Sequence, residues 1–331
     1  MDVFVLLAPL LDRWPAAGAF AEIVAALDEG GADVVVPDVA RAFLLAGIAN
    51  ADLDPGGARG GAGPHGLILA VTATSADAEA LAADAAAFLG LERVAVFPAW
   101  ETLPHEPLSP RSETVARRLA LIHRLARQAA GEPPETPEQA PLALLATPAR
   151  AVMQPLAPGL DTIEPVRVAR GDQMDLEDLL ERLVAAGYER TDMVERRGEV
   201  AVRGGLVDFF PPGDDHPVRV EFWGDEVEGI RAFAVASQRS LTELPAALAF
   251  PCRELRLTAA ERQRARQLAA EFPAAGELLS QVADGLAVEG LESLLPLLFD
   301  ELRLLPDYLP AGAVLALVDP KIGRASCRER V

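Results

Sequence analysis

The side chains best placed to do chemistry lie in one short stretch, Val218-Arg219-Val220-Glu221-Phe222-Trp223. Successive side chains of a strand point to opposite faces, so Val218, Val220 and Phe222 face a core while Arg219, Glu221 and Trp223 face away from it. An outward tryptophan near an arginine has the composition of a protein–protein hot spot. The same residues fit a blander arrangement equally well, with Trp223 covered by a neighbouring loop and the arginine solvated.

Enzymatic chemistry is harder to assemble. The chain has a single lysine, Lys321, and it is followed by Ile322. A phosphate-binding P-loop needs Gly-x-x-x-x-Gly-Lys-[Ser/Thr], with the lysine on the β- and γ-phosphates. No Walker A can be written here, and no lysine is placed to form a Schiff base. The loop Pro55–Pro64 is glycine-rich but lacks both that lysine and a strand-to-helix setting. The histidines are His65, His105, His123 and His216, and none has metal-ligand spacing. His105 lies near Glu101 and Glu106, but the intervening leucine and proline read as a shaped surface turn. Ser109 and Ser112 lack a nucleophile-elbow context. With only Cys252 and Cys327, neither a disulfide framework nor a cysteine-rich zinc site is available, and a reducing compartment is expected. No catalytic residue, cofactor or metal site is therefore expected in this chain.

Composition narrows the partners. The chain has 331 residues, half of them hydrophobic, which suggests two or three domains with sizeable cores. Thirty basic against fifty acidic residues give a net charge of -20, unfavourable for non-specific binding to a polyanion. No segment reads as a membrane span; Val3–Leu11 is apolar but short and interrupted by Pro9. The last ten residues, Ile322–Val331, break the style of the rest and read as the translation of a sequencing adapter. They are expected to be a non-native, unpacked tail on a gene that was cut. Removing their three arginines and one glutamate leaves a body of net -22.

The elements that position these residues can be read from periodicity. Residues 16–28, 39–49, 77–89 and 110–129 read as helices, with Asp38 as an N-cap. Residues 33–36, 66–72, 94–97 and 142–146 read as strands, followed by a short helix at 149–154. Their alternation suggests a mostly parallel sheet covered on both faces. Arg117, Arg118 and Arg124 lie on the last long helix, beside its apolar stripe, and are expected on a solvated flank. That makes Arg118→Ala a natural silent control. Beyond Pro158 the pattern changes to one helix, 175–186, and extended runs at 199–203, 206–210, 218–223 and 227–233. This is a small antiparallel α+β module. Helices at 259–271 and 277–284 and a strand at 313–318 then return to the earlier style, so both ends belong to one split domain.

Several motifs together carry a resemblance. They are Val96-Phe97-Pro98-Ala99-Trp100-Glu101-Thr102-Leu103-Pro104-His105-Glu106, the run Tyr188–Arg231, Ser237-Gln238-Arg239-Ser240 and Pro251-Cys252-Arg253-Glu254-Leu255. Over nearly all of residues 1–320, least in the opening forty, the chain resembles the N-terminal module of the bacterial transcription-repair coupling factors, in an actinobacterial style. That resemblance implies a degenerate helicase-like α/β domain, similar to UvrB, split by an inserted UvrA-binding domain. The implied boundaries are 1–158 and 239–320 for the split domain and 159–238 for the insert, with 321–331 as the tail. Val35–Arg41 then stands where UvrB has its Walker A, and Leu317-Val318-Asp319-Pro320 resembles a remnant of the Asp-Glu motif.

The resemblance also implies a site. UvrA would be met by Arg203 in Ala-x-Arg-Gly, by Arg219, and by the aromatic position now occupied by Trp223, where the family usually has phenylalanine. It implies a cytoplasmic, non-catalytic module that recruits UvrA. The parent would be an ATP- and Mg-dependent translocase on double-stranded DNA that engages stalled RNA polymerase. The alternatives are a UvrB-type damage-recognition helicase subunit, which the missing Walker A disfavours, and a stand-alone UvrA-binding protein.

Overall fold

The structure is a computed structural model and describes residues 11, 18–50, 66–103, 106, 108–134, 139–255, 258–286 and 288–319. The Pro55–Pro64 loop, His65, His105, Lys321 and the tail 322–331 lie outside the described residues. The chain divides into two compact units. One is drawn from 1–99, 124–154 and 304–331, the other from 100–123 and 155–303.

The first unit opens with helices α1 (Gly18–Asp28) and α2 (Asp38–Asn50). Strand β1 (Ile68–Thr72), helix α3 (Ser75–Leu89) and strand β2 (Val94–Val96) follow. Helix α4 (Ser112–Ala130), whose residues are shared between the two units, precedes strand β3 (Leu144–Pro148) and the short helix α5 (Ala149–Met153). Strands β1 and β3 are buried along their whole length, as central strands of a parallel sheet must be when both faces are covered. Helix α3 starts where the Thr74 hydroxyl accepts from the Asp77 N–H at 3.1 Å, and it lays Ala78, Ala82 and Ala85 into the sheet core. Small side chains there allow helix and sheet to approach closely.

Two local expectations are corrected here. Residues 33–36 form no strand, and Val35 is 96% exposed. Val34 and Val36 do pack on the core, but Pro37 has no N–H to give a ladder. Their alternating burial imitates a strand without its hydrogen bonds. Asp38 is the first helical residue rather than a cap; its carboxylate holds Arg41 Nη2 at 2.7 Å.

The second unit contains an antiparallel sheet. Strand β4 (Val166–Ala169) and helix α6 (Leu176–Ala185) lead into β5 (Glu189–Arg190), β6 (Glu199–Arg203) and β7 (Leu206–Phe209). Next come β8 (Val218–Trp223), β9 (Glu226–Phe233), β10 (Ser240–Glu243) and β11 (Ala246–Ala249). The main sheet has the order β10-β9-β8-β7-β6-β5, antiparallel except for the β5–β6 pair; β4 and β11 pair separately. Leu179 and Leu183 of α6 pack on Val200, Val207, Phe209, Val218, Val220 and Ile230 from the inner face of this sheet. Gly187, at φ 89, turns the chain out of α6, a backbone conformation costly for any other residue. Helices α7 (Ala259–Glu271), α8 (Gly276–Ala283) and α9 (Leu295–Leu298) complete this unit.

The chain then returns to the first unit as β12 (Val314–Leu317), which pairs with β1 in parallel. The first sheet therefore has the order β12-β1-β3-β2, all parallel. Two strands of one parallel sheet, β3 and β12, are separated in sequence by the whole antiparallel module. The chain is a mixed α/β protein whose parallel-sheet domain is split by an inserted domain. Among the described residues, no helix is long and apolar enough to cross a membrane.

Candidate protein-binding face

The outer face of the antiparallel sheet is set by strand register. The Gly204-Gly205 turn, with Gly204 at φ 61, pairs Arg203 with Leu206 and Ala201 with Asp208. Asp208 in turn lies opposite Arg219, and Arg219 opposite Arg231. Side chains directly opposite share a face, so Arg203, Asp208, Arg219 and Arg231 all project away from the core of α6.

These residues form an ordered network. Asp208 is buried at 1% exposure, and both of its oxygens are used. Arg219 donates from Nε to Oδ1 at 2.7 Å and from Nη2 to Oδ2 at 2.8 Å, a bidentate fork. Arg203 donates from Nη2 to the same Oδ2 at 2.6 Å. The hydrogen bonds to Asp208 raise the pKa of Arg219 above the ordinary arginine value. Its guanidinium carbon also lies 4.6 Å from the centre of the Phe233 ring.

Asp208 is buried on an outward face because Val194, Ala201, Phe210 and Phe233 form a small apolar cluster on that side. Gln238 closes the network from the β9–β10 connection. Its Oε1 accepts from Arg203 at 3.3 Å and from Arg219 at 3.5 Å, and its Nε2 donates to the Val235 carbonyl at 2.9 Å. Gln238 sits at φ 56, a left-handed conformation uncommon outside glycine, asparagine and aspartate.

Trp223 stands on the same face at the end of β8, before the Gly224-Asp225 turn, and is 78% exposed. Between it and the arginine network lies a second ion pair, Arg231 Nη1 to Glu221 Oε1 at 2.8 Å. The structure thus brings Arg203 and Arg219 onto one carboxylate and leaves Trp223 separate and open. Neither the covering loop over Trp223 nor a solvated Arg219 is found. Asp208 and Gln238 escaped sequence reasoning. A signal for Asp208 was present: across a two-residue hairpin turn, Arg203 and the residue five positions on share a face.

The arginines of α4 depart from expectation. Arg117 is exposed, but Arg118 is fully buried, with Nε 2.5 Å from Glu254 Oε1 and its guanidinium 5.1 Å from the Trp100 ring centre. Trp100 Nε1 donates to the same glutamate oxygen at 3.0 Å. Two of the distinctive sequence motifs, around Trp100 and around Glu254, meet at Arg118. A helical stripe is wide enough to bury a position flanking its apolar centre, and a buried carboxylate then selects arginine there. Arg124 is half-buried and donates to the Ala140 carbonyl through Nε at 2.8 Å.

Several of the remaining polar candidates have structural partners. Ser109 donates to Glu292 Oε2 at 2.7 Å, Glu101 accepts from the Thr114 hydroxyl, and Glu106 accepts from the Leu103 N–H at 2.8 Å. His123 packs edge-on against Phe250 and contacts Glu164 at 3.3 Å. In the first unit, Arg41 also approaches Asp319 at 3.7 Å, which joins the two stretches singled out as degenerate nucleotide motifs. Among the described residues no cluster of histidine, cysteine or carboxylate side chains is arranged to hold a metal.

Comparison with known proteins gives this face its context. Residues 166–255 match the family described as the UvrB interaction domain. A transcription-repair-coupling factor of Mycobacterium tuberculosis is 44% identical over 268 residues, covering 78% of this chain and 21% of that protein. The chain is a homologue of the transcription-repair-coupling factors. The Myxococcus xanthus factor is 37% identical over 262 residues, covering 73% of this chain. The UvrABC system protein B of Natronomonas pharaonis matches a shorter stretch, 40% identical over 86 residues and 26% of this chain. The chain spans about a fifth of the length of the coupling factors it matches. The inserted antiparallel module, with Arg203, Asp208, Arg219 and Trp223, lies within the matched interaction domain.

Proposed function

We propose that this chain is the recruiting module of a transcription-repair coupling factor and that it binds UvrA through the inserted domain at 159–238. The observation that carries the reading is the outer face of that domain: an exposed tryptophan on the same face as an ordered arginine pair, within the segment matched by the UvrB interaction domain. Tryptophan and arginine are enriched among residues that dominate binding energy. Arg203 supplies a charged hydrogen-bond donor for a carboxylate on UvrA, and Trp223 supplies a rigid apolar anchor. The net charge of -20 does not oppose this, because recognition depends on the local patch.

The module itself is non-catalytic and takes no nucleotide, since a phosphate cradle needs a lysine that no glycine-rich loop here contains. In the whole coupling factor, other segments supply the ATP- and Mg-dependent motor on double-stranded DNA and the contact with RNA polymerase. The protein works in the cytoplasm, where these partners are. Calorimetric titration of the purified chain with UvrA tests the reading: saturable binding is expected. A flat titration at micromolar concentrations refutes it. In the same instrument, micromolar ATP binding by the chain would refute the non-catalytic part.

A further inference from the structure

Arg203 and Arg219 differ in what they can still offer. Arg219 spends Nε and Nη2 on Asp208, directs Nη1 to the Gln238 carbonyl at 3.4 Å, and its side chain is only 14% exposed. Arg203 commits Nη2 alone, to Asp208 and Gln238, and its side chain is 43% exposed. The two guanidiniums meet on one carboxylate, which leaves a net single positive charge at the cluster. We infer that Asp208 is a positioning residue of this face: with Arg219 as its inner brace, it holds Arg203 outward in one rotamer for a carboxylate of the partner. The inference rests on the UvrA reading and changes its terms, because Arg219 then acts through Asp208 rather than on the partner.

The geometry supports a rigid two-point anchor. Arg203, Leu206 and Glu221 form one cross-strand row, and Trp223 lies two residues further along β8. With strands about 4.8 Å apart and about 3.4 Å per residue, Arg203 and Trp223 start roughly 12 Å from each other on the sheet. A long arginine side chain ordered before binding loses less freedom on binding. Asp208 and the left-handed Gln238 supply that order at the cost of a carboxylate placed beneath a cationic face.

This role predicts the sign of a substitution. If Asp208 only dilutes positive charge, Asp208→Asn strengthens binding to an acidic partner surface. As a positioning residue, Asp208→Asn weakens UvrA binding about three- to tenfold, the cost of ordering one long side chain during association. The loss vanishes in an Arg203→Ala background. Strengthening, no change, or an equal loss in both backgrounds overturns the inference.

A second readout is independent of UvrA. Nitrogen-15 relaxation of arginine Nε–H groups should find Arg203 ordered in the wild type and released in Asp208→Asn. Arg231, paired with Glu221, should be unchanged. Equal order of Arg203 in both proteins overturns the inference, and it does so whether or not UvrA binds. If Asp208→Asn fails to fold, the paired variant Asp208→Leu/Arg219→Met removes both buried charges together. It must show the same release of Arg203 and the same silence in the Arg203→Ala background; otherwise the inference fails.

Discussion

Replacing Arg118 by methionine should unfold this protein more readily than any surface change. Arg118 is fully buried and Glu254 is 3% exposed, so neither charge can turn to water when its partner is lost. Methionine fills much of the arginine stem and removes the charge alone. Glu254 is then a buried carboxylate that keeps the Trp100 N–H at 3.0 Å but has lost its cation. Breaking a buried pair by deleting one partner costs about 3–5 kcal/mol. For a cooperative unit of this size that is a fall of roughly 6–20 °C in melting temperature. Adding Glu254→Gln removes the stranded charge and keeps an acceptor for Trp100, so the double variant should regain most of the loss. Arg117→Ala, one residue away and exposed, should change stability by less than about 0.5 kcal/mol. Urea unfolding followed by far-ultraviolet circular dichroism measures all three. A loss under about 1 kcal/mol for Arg118→Met, or no recovery in the double variant, refutes the reasoning.

Other consequences follow from the same cores. Burial pushes the Cys252 thiol up to about 12 and raises the Tyr188 hydroxyl too, from ordinary values of 9.0 and 10.0. The unfolded chain releases these protons first, so stability should fall by about 1.4 kcal/mol per pH unit for each group, from above pH 9 for Cys252 and from above pH 10 for Tyr188. Urea unfolding at pH 8 and pH 11 should differ by roughly 4 kcal/mol, less in Cys252→Ala; equal midpoints would contradict it. In a Cys327→Ser background, a thiol reagent at neutral pH should label no cysteine in the native protein and one after denaturation. Gly198→Ala should destabilise by about 1–3 kcal/mol, because Gly198 sits at φ 85 and an added Cβ would lie 3.3 Å from Cys252 Sγ. An unchanged melting temperature would remove that strain argument.

What sequence made legible was periodic, and what it hid was lateral. Burial patterns in β1, β3, β8 and α3 follow directly from residue spacing, and so does the outward placement of Arg219 and Trp223. The split of the parallel sheet was legible from the change of style near Pro158 and the strand pattern at 313–318, but the helices at 259–271 and 277–284, read as part of the split domain from 239 onward, lie in the second unit. Ladder partners were not. Residues 33–36 alternate like a strand yet pair with none among the described residues. The burial of Arg118 depends on Glu254, 136 positions away, which helical periodicity cannot reveal. Asp208 looked like an ordinary strand residue until register placed it under two arginines.

Recruitment of UvrA by the proposed Trp223 and Arg203 face of the inserted domain is read out by the equilibrium dissociation constant of purified UvrA for the full chain, measured for the wild type, Trp223→Ala, Arg203→Ala and Arg117→Ala. Trp223 is exposed, so its truncation should leave the melting temperature unchanged. Trp223→Ala and Arg203→Ala should each weaken binding about thirtyfold, equivalent to roughly 2 kcal/mol, while Arg117→Ala binds like the wild type. Wild-type affinity in both face variants, with their folds intact, would contradict recruitment by this face.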